Sequence, residues 1–331
     1  MTEKRRFQRI PFRKQLAFKC VKGTYFGELK DLSLGGAYIQ NPTNYPYLRE
    51  TVEIAFYLDN SNNIVVFIKG EVIRIEEGKG FAVKFVEIDP KSFTHLKNII
   101  YYNSPDPEAA KKEIYDFLGE AYPMFQTVKY LAVQSLKNEL IKYLLSRAFL
   151  YSPDKPFILS SGKESPYYLD CRKVTLYSPS FQLIGDLFWE EVRFSFVDGV
   201  AGMSIGADPI VCAVLASAIK EGVKLEGLLV RKEPKKHGTQ KQIEGNVKAG
   251  MRVVLVEDVV TTGGSVLKAL SALREAGVQV VKVLALVDRE EGGRSAIEGE
   301  GVPFHAFFTI EEILSAYKSQ KSIFGKSTLK N

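Results

Sequence analysis

The 331-residue chain reads as multidomain: a small all-β barrel or sandwich, then an α/β domain on a doubly wound parallel sheet. Three observations predict it. The first hundred residues hold short β-branched and aromatic runs punctuated by Gly, Asn and Asp. The second half alternates apolar strand-like runs with helical stretches. Between them, turn chemistry at Ser104 and Pro105 gives way to good helix formers from Glu108 to Leu118. We therefore expect a barrel domain over 1–103, a helical linker over 104–128 and the α/β domain over 129–331. A prior of roughly 150 residues per domain agrees, and each half is long enough to bury a core.

In order, the barrel strands are expected within 16–23, 25–41, 51–58, 63–78 and 80–89. Val52, Ile54, Phe56 and Leu58 alternate on one face, a period of two. KSFTHLKNIIYYN, from Lys91, predicts a short helix that caps the barrel. Over 128–150 the period is helical, with Leu136, Leu140, Ile141, Leu144 and Leu145 on one face. Buried parallel strands are expected in 196–203, 225–232, 252–260 and 278–289. Helices over 208–222 and 265–277 lie between them, each ending in Gly. There is no internal repeat and no low-complexity segment.

Composition narrows the class. Apolar residues make up 45% and charged residues 25%, which excludes wholesale disorder. Lys plus Arg number 45 against 39 acids, and a net charge of +6 is too small by itself to argue for nucleic acid. Cys20, Cys171 and Cys212 are widely spaced with no CxxC pair, which reads as reduced thiols. No apolar run reaches the roughly 18–20 residues needed to span a bilayer, and no signal-peptide core follows the basic first 20 residues. A cytoplasmic protein with no membrane partner is expected.

The strongest motif is VVLVEDVVTTGGS, 253–265. A buried strand runs into Glu257 and Asp258, then into a Thr-Thr-Gly-Gly-Ser turn that opens a helix. A strand's carboxyl end feeding a helix N-terminus is where an open α/β sheet binds ligands. Gly263 and Gly264 let an anion approach the backbone, Thr261, Thr262 and Ser265 add hydroxyls, and the first helical N–H groups hold phosphate. The carboxylates suit sugar hydroxyls or a metal carried by the ligand. Separately, Arg231, Lys232, Lys235, Lys236, His237 and Lys241 crowd around Gly238, a loop able to close over a polyanion.

The 253–265 run resembles the PRPP-binding motif of the type I phosphoribosyltransferases. Three further segments resemble orotate phosphoribosyltransferase: FILSSGKESPYYLDCRK (157–173), the loop RKEPKKHG (231–238) and LVDREEGGR (286–294). The likeness covers roughly 129–320. It implies transfer of the phosphoribosyl group of PRPP to orotate, giving orotidine 5′-phosphate and pyrophosphate in pyrimidine synthesis. It implies that Lys232, Lys235, His237 and Asp258 are catalytic. PRPP would be bound by these four with Arg231, Glu257, Val259, Val260, Thr261, Thr262, Gly263, Gly264 and Ser265. Orotate would meet Tyr168, Leu169, Thr261 and Arg289. Mg2+ would be held mainly by PRPP, with no metal site of the chain's own. A homodimer is also implied, with Arg231 reaching the neighbouring subunit. Two departures touch usual PRPP contacts: Ser160 replaces a common Lys, and Ser204–Ile205 replace a common Tyr-Lys pair. The rival class is a non-catalytic sensor on the same fold. The loop lysines, His237 and Arg289 speak against it, since a sensor has no leaving group to neutralise. A purine as the accepted base is the weaker rival, and Arg289 with the SPYY segment argues for orotate.

In the first domain, Arg5, Arg6 and Arg9 precede the first strand, and DLSLGG, Asp31 to Gly36, lies between two strands. Guanidinium forks pair with phosphates and guanine edges, and Asp31 can accept from guanine N–H groups. The pair resembles the RxxxR and D/N-x-S-x-x-G motifs of the PilZ domain, here Arg5–Arg9 and Asp31–Ser33–Gly36. That resemblance covers about 3–100 and implies cyclic di-GMP binding by Arg5, Arg6, Arg9, Asp31, Ser33 and Gly36. A basic tail before an unrelated barrel and a nucleic-acid module are the alternatives. The latter would ask for exposed aromatics on a broader basic sheet. Control of the enzyme by the nucleotide is an expectation that rests on the shared chain alone.

Overall fold

The computed structural model describes residues 7–58, 64–158, 164–233 and 242–325, with side chains outside 119–131 and 322–325. The chain divides into two compact units, Met1–Lys129 and Tyr130–Asn331.

The first unit is a closed antiparallel barrel. Its strands are β1 (Ile10–Cys20), β2 (Gly23–Ser33), β3 (Gly36–Gln40), β4 (Thr51–Tyr57), β5 (Val65–Glu76) and β6 (Gly80–Ile88), in the order β1-β2-β3-β6-β5-β4. β1 pairs with β4 to close the ring, which removes open sheet edges. On β4, Val52, Ile54 and Phe56 are buried while Thr51, Glu53 and Tyr57 face out, as the period of two requires. Phe18 and Phe81 meet edge to face in the core at 5.0 Å. The apolar run 25–41 is two strands, broken at Leu34–Gly35. Helix α1 (Pro90–Asn103) starts with Asp89 accepting the Ser92 N–H at 2.9 Å, and it buries Phe93, Leu96 and Ile100.

Helix α2 runs without a break over Pro107–Tyr143, although Gly119 and Pro123 fall within it. The expected helical linker and the helical period after it thus form one helix, which stops several residues short of the expected 150. A π-helical turn, Leu144–Ala148, ends it, and β7 (Phe149–Tyr151) follows. Tertiary pairing outweighs propensity there: β7 pairs with β10 (Tyr167–Leu169), and Phe149 stacks on Tyr167 at 6.0 Å. Between them, β8 (Phe157–Ile158) and β9 (Glu164–Ser165) form a small hairpin.

The second unit continues with α3 (Arg172–Thr175), α4 (Ser178–Val192), β11 (Gly199–Met203), α5 (Asp208–Lys220), β12 (Glu226–Val230) and β13 (Ile243–Glu244). Then come β14 (Arg252–Val260), α6 (Gly264–Glu275), β15 (Gln279–Asp288), α7 (Gly293–Gly299), β16 (Phe304–Thr309) and α8 (Ile310–Gly325). The six-stranded sheet has the order β13-β12-β11-β14-β15-β16 and is parallel except for β13, which runs antiparallel to β12. One face packs on Ile184, Leu187 and Phe188 of α4 with Ile210, Val211 and Val214 of α5. The other packs on Val266, Leu270 and Leu273 of α6 with Ile297 of α7. From β11 the chain moves outward to β12, then returns to lay β14 on the opposite side of β11. That reversal opens a crevice beyond the carboxyl ends of β11 and β14. No helix among the described residues is long and apolar enough to cross a membrane.

Candidate functional site

A cavity of about 400 Å³ lies at that crevice. Leu169, Asp170, Cys171 and Arg172 form one wall, and Met203, Ser204, Ile205 and Gly206 after β11 form a second. Lys232 after β12 adds a cation, and Glu257, Asp258, Val259 and Ser265 complete the lining.

β14 is buried through Val253–Val256 and then becomes acidic. Glu257 is 5% exposed and Asp258 is half-buried. Burial pushes the Glu257 carboxyl well above its ordinary range, and the neighbouring Asp258 charge adds to this while Lys232 opposes it. Asp258 Oδ1 accepts the Val259 N–H at 2.9 Å. Gly263 adopts φ +84°, the left-handed region, to turn the strand into α6, and no side chain caps that helix. Its first-turn N–H groups are the ordinary anion-binding feature of a helix start. Thr261 O accepts the Gly293 N–H at 2.9 Å, which fixes the turn against α7.

Around this centre, the Arg172 Nε–H donates to Asp170 Oδ1 at 2.8 Å, which draws the Asp170 carboxyl below its usual value. The buried Cys171 thiol is pushed well up by desolvation, and nearby Asp258 adds to the shift. The thiol is part of the cavity wall. Ser204 Oγ donates to Asp208 Oδ1 at 3.0 Å, and burial raises the Asp208 carboxyl.

The cavity gathers Lys232, Glu257, Asp258, Val259, Ser265 and Leu169 from the expected set, together with Ser204 and Ile205. Val260 ends β14, Thr261, Thr262 and Gly263 form the turn, and Gly264 opens α6 beside it. Tyr168 faces the other side of β10, where its ring tilts against Phe157 at 5.9 Å. Arg289 starts beside the same turn, its N–H donating to Val260 O at 2.8 Å. Arg231 is half-exposed, and its Nε–H donates to Glu244 Oε1 at 2.8 Å. Lys235, His237 and Ser160 lie outside the described residues. Asp170, Cys171, Arg172, Met203 and Gly206 had no role from the sequence. Their signal is position: DCRK follows SPYYL directly, and GMSIG ends the strand that neighbours the acidic one.

In the first unit, Arg9 Nη1 lies 2.5 Å from Asp31 Oδ1. Ser33 Oγ donates to Gly36 O at 3.0 Å. A β-carbon at Gly36 would sit 2.4 Å from Val83 O, so β3 can pair with β6 there only without a side chain. Arg5 and Arg6 lie outside the described residues.

A parallel sheet whose switch-point cavity joins an acidic pair, a lysine and an open helix start defines the phosphoribosyltransferase class. Residues 195–299 match the phosphoribosyl transferase domain family, and residues 3–102 match the PilZ domain family. The chain is 44% identical over 180 residues to orotate phosphoribosyltransferase of Aquifex aeolicus, covering 54% of this chain and 98% of that protein. It is 43% identical over 183 residues to the Pyrococcus furiosus protein of the same name, covering 55% and 97%. Among solved structures, Mycobacterium tuberculosis orotate phosphoribosyltransferase in complex with PRPP aligns with 31% identity over 53% of this chain and 96% of that one, TM-score 0.44. The chain belongs to the orotate phosphoribosyltransferase family, carried here behind a PilZ domain.

Proposed function

We propose that the second unit transfers the 5-phosphoribosyl group of PRPP to orotate. The ribose C1–oxygen bond to pyrophosphate breaks, a bond from C1 to the orotate ring nitrogen forms, and that nitrogen's proton passes to solvent. Positive charge grows on the sugar while negative charge grows on the leaving group, so the site needs carboxylates at the ribose and cations at the pyrophosphate. The observation that carries this reading is the shared cavity of Glu257, Asp258, Ser265 and Lys232 at the switch point. Glu257 and Asp258 accept the ribose hydroxyls, and the Thr261–Ser265 turn receives the 5-phosphate on the α6 N–H groups. Lys232, with Lys235 and His237, neutralises pyrophosphate. Arg289, Thr261 and the backbone of Tyr168 and Leu169 meet orotate. Catalysis is then positioning and electrostatics rather than strong-base chemistry.

Two oxygen-donor carboxylates beside the cavity suit Mg2+ carried by the substrate, and the bound ion would supply charge neutralisation on the diphosphate. Among the described residues no three His, Cys, Asp or Glu side chains gather as a cluster able to hold a metal. A homodimer completed by the Arg231 loop belongs to the same reading, and sedimentation equilibrium tests it. The free thiols Cys20, Cys171 and Cys212 support a reducing, cytoplasmic setting.

The first unit, on this reading, binds cyclic di-GMP through Arg5, Arg6, Arg9, Asp31, Ser33 and Gly36, and the bound nucleotide alters turnover in the second. The Arg9–Asp31 pair and the Ser33–Gly36 turn support it by standing on adjoining segments. The test is orotate consumption with PRPP and Mg2+, with and without cyclic di-GMP. No turnover under any condition would sink the enzyme reading. Turnover blind to the nucleotide would remove the regulatory one.

A further inference from the structure

Arg289 is the guanidinium that this reading sets against the orotate carboxylate, and its surroundings determine how it is presented. Glu290 adopts φ +58°, left-handed for a residue with a β-carbon, and its N–H donates to Asp288 Oδ1 at 2.8 Å. The chain thus doubles back, and Glu291 Oε1 meets Arg289 Nη2 at 2.8 Å. The guanidinium carbon lies 5.2 Å from the centroid of the Tyr167 ring, a cation–π distance. Tyr167 shares a face of β10 with Leu169, which lines the cavity. The Arg289 side chain is only 11% exposed, and its Nε is buried with no hydrogen-bond partner.

Here Glu291 engages Nη2 and Nε is shut off from solvent, so the Nη1 and remaining Nη2 N–H groups are the donors left to a planar acceptor such as a carboxylate. We propose that Glu291 and Tyr167 are positioning residues that hold the Arg289 guanidinium in one plane and present its remaining terminal N–H groups to the substrate carboxylate. Glu291 keeps its bond when substrate binds, because the Glu290 turn sets its place. This inference rests on the assignment of orotate as the accepted base.

Steady-state kinetics on the full chain test it, varying orotate at saturating PRPP and the reverse. Glu291→Ala and Tyr167→Leu should each raise the orotate KM roughly tenfold, leaving kcat and the PRPP KM within about twofold. Glu291→Asp should recover part of the loss, and Tyr167→Phe, which keeps the ring face, should match wild type. Glu291→Gln, an isostere, gives the same reading should the alanine variant fold poorly, and a weaker carboxylate-to-amide contact should still raise the orotate KM. An orotate KM that falls would mean that Glu291 competes with substrate, and an unchanged KM would mean that it does nothing. Either result overturns the inference while leaving orotate as substrate. A wild-type chain that turns over no orotate would overturn the assignment of the base, and this inference with it.

Discussion

A β-carbon placed on Gly206 would lie 2.6 Å from Asp258 Oδ1, so the turn after β11 rests directly on the carboxylate at the end of β14. With the Val259 N–H on the same oxygen, Asp258 is held from two sides across the switch point. Gly206→Ala should push that carboxylate out of place without touching the sheet. We expect kcat/KM for PRPP to fall at least about tenfold, a loss near 1.4 kcal/mol of transition-state stabilisation, with an unchanged circular dichroism spectrum. An unchanged kcat/KM would show that the Asp258 position does not matter to turnover.

Glu257 predicts a pH effect of definite sign. Burial holds its carboxyl above the ordinary range, so the folded chain binds this proton more tightly than the unfolded one does. The stability this proton provides is present below the unfolded value, about 4.3, and is lost as pH rises through the raised folded value. Glu257→Gln removes the charge and should raise the melting midpoint at pH 7 by about 2–4 °C, the shift that roughly 1 kcal/mol makes in a domain of this size. Near pH 4 the gain should vanish. Turnover should drop in the same variant. A midpoint gain equal at both pH values would mean that the ionised form costs the fold nothing.

The barrel and the phosphate strand were legible because both rest on local pattern. Val52, Ile54 and Phe56 alternate as written, and Val253–Val256 ends in acids and a Gly-Gly turn that no ordinary connection needs. Other parts depend on distant partners. The end of α2 is set by β7 pairing with β10, sixteen or more residues later, which a helical period cannot register. Asp170, Cys171 and Arg172 enter the cavity because that pairing carries the chain to the sheet's carboxyl edge. The wall from Met203 to Gly206 follows from β11 and β14 being neighbours, a fact of topology.

The Arg9–Asp31 contact leads to a binding prediction. Both side chains are about a quarter exposed, so an incoming guanine edge or phosphate can exchange for either partner. Arg9→Ala and Asp31→Ala should each weaken cyclic di-GMP binding at least about tenfold by isothermal calorimetry. Gly36→Ala should act differently, lowering the barrel's melting midpoint through the clash with Val83 O. Full nucleotide affinity in both charge variants would take the ligand site off these residues.

The segment that carries Arg9 is also anchored. The Gln8 N–H donates to Glu113 Oε2 at 3.0 Å, and Phe7 meets Phe117 edge to face at 5.6 Å while Phe117 stacks on Phe93. Glu113 and Phe117 both belong to α2, which continues to Tyr143. If a ligand on Arg9 shifts this segment, it strains these contacts to α2, so a response carried by that helix weakens when they are removed. Glu113→Ala should therefore shrink the response of orotate turnover to saturating cyclic di-GMP, read as the ratio of rates with and without nucleotide. The same variant should still bind the nucleotide by calorimetry, which separates lost coupling from lost binding. A full response in Glu113→Ala would show that the Gln8 anchor carries no signal.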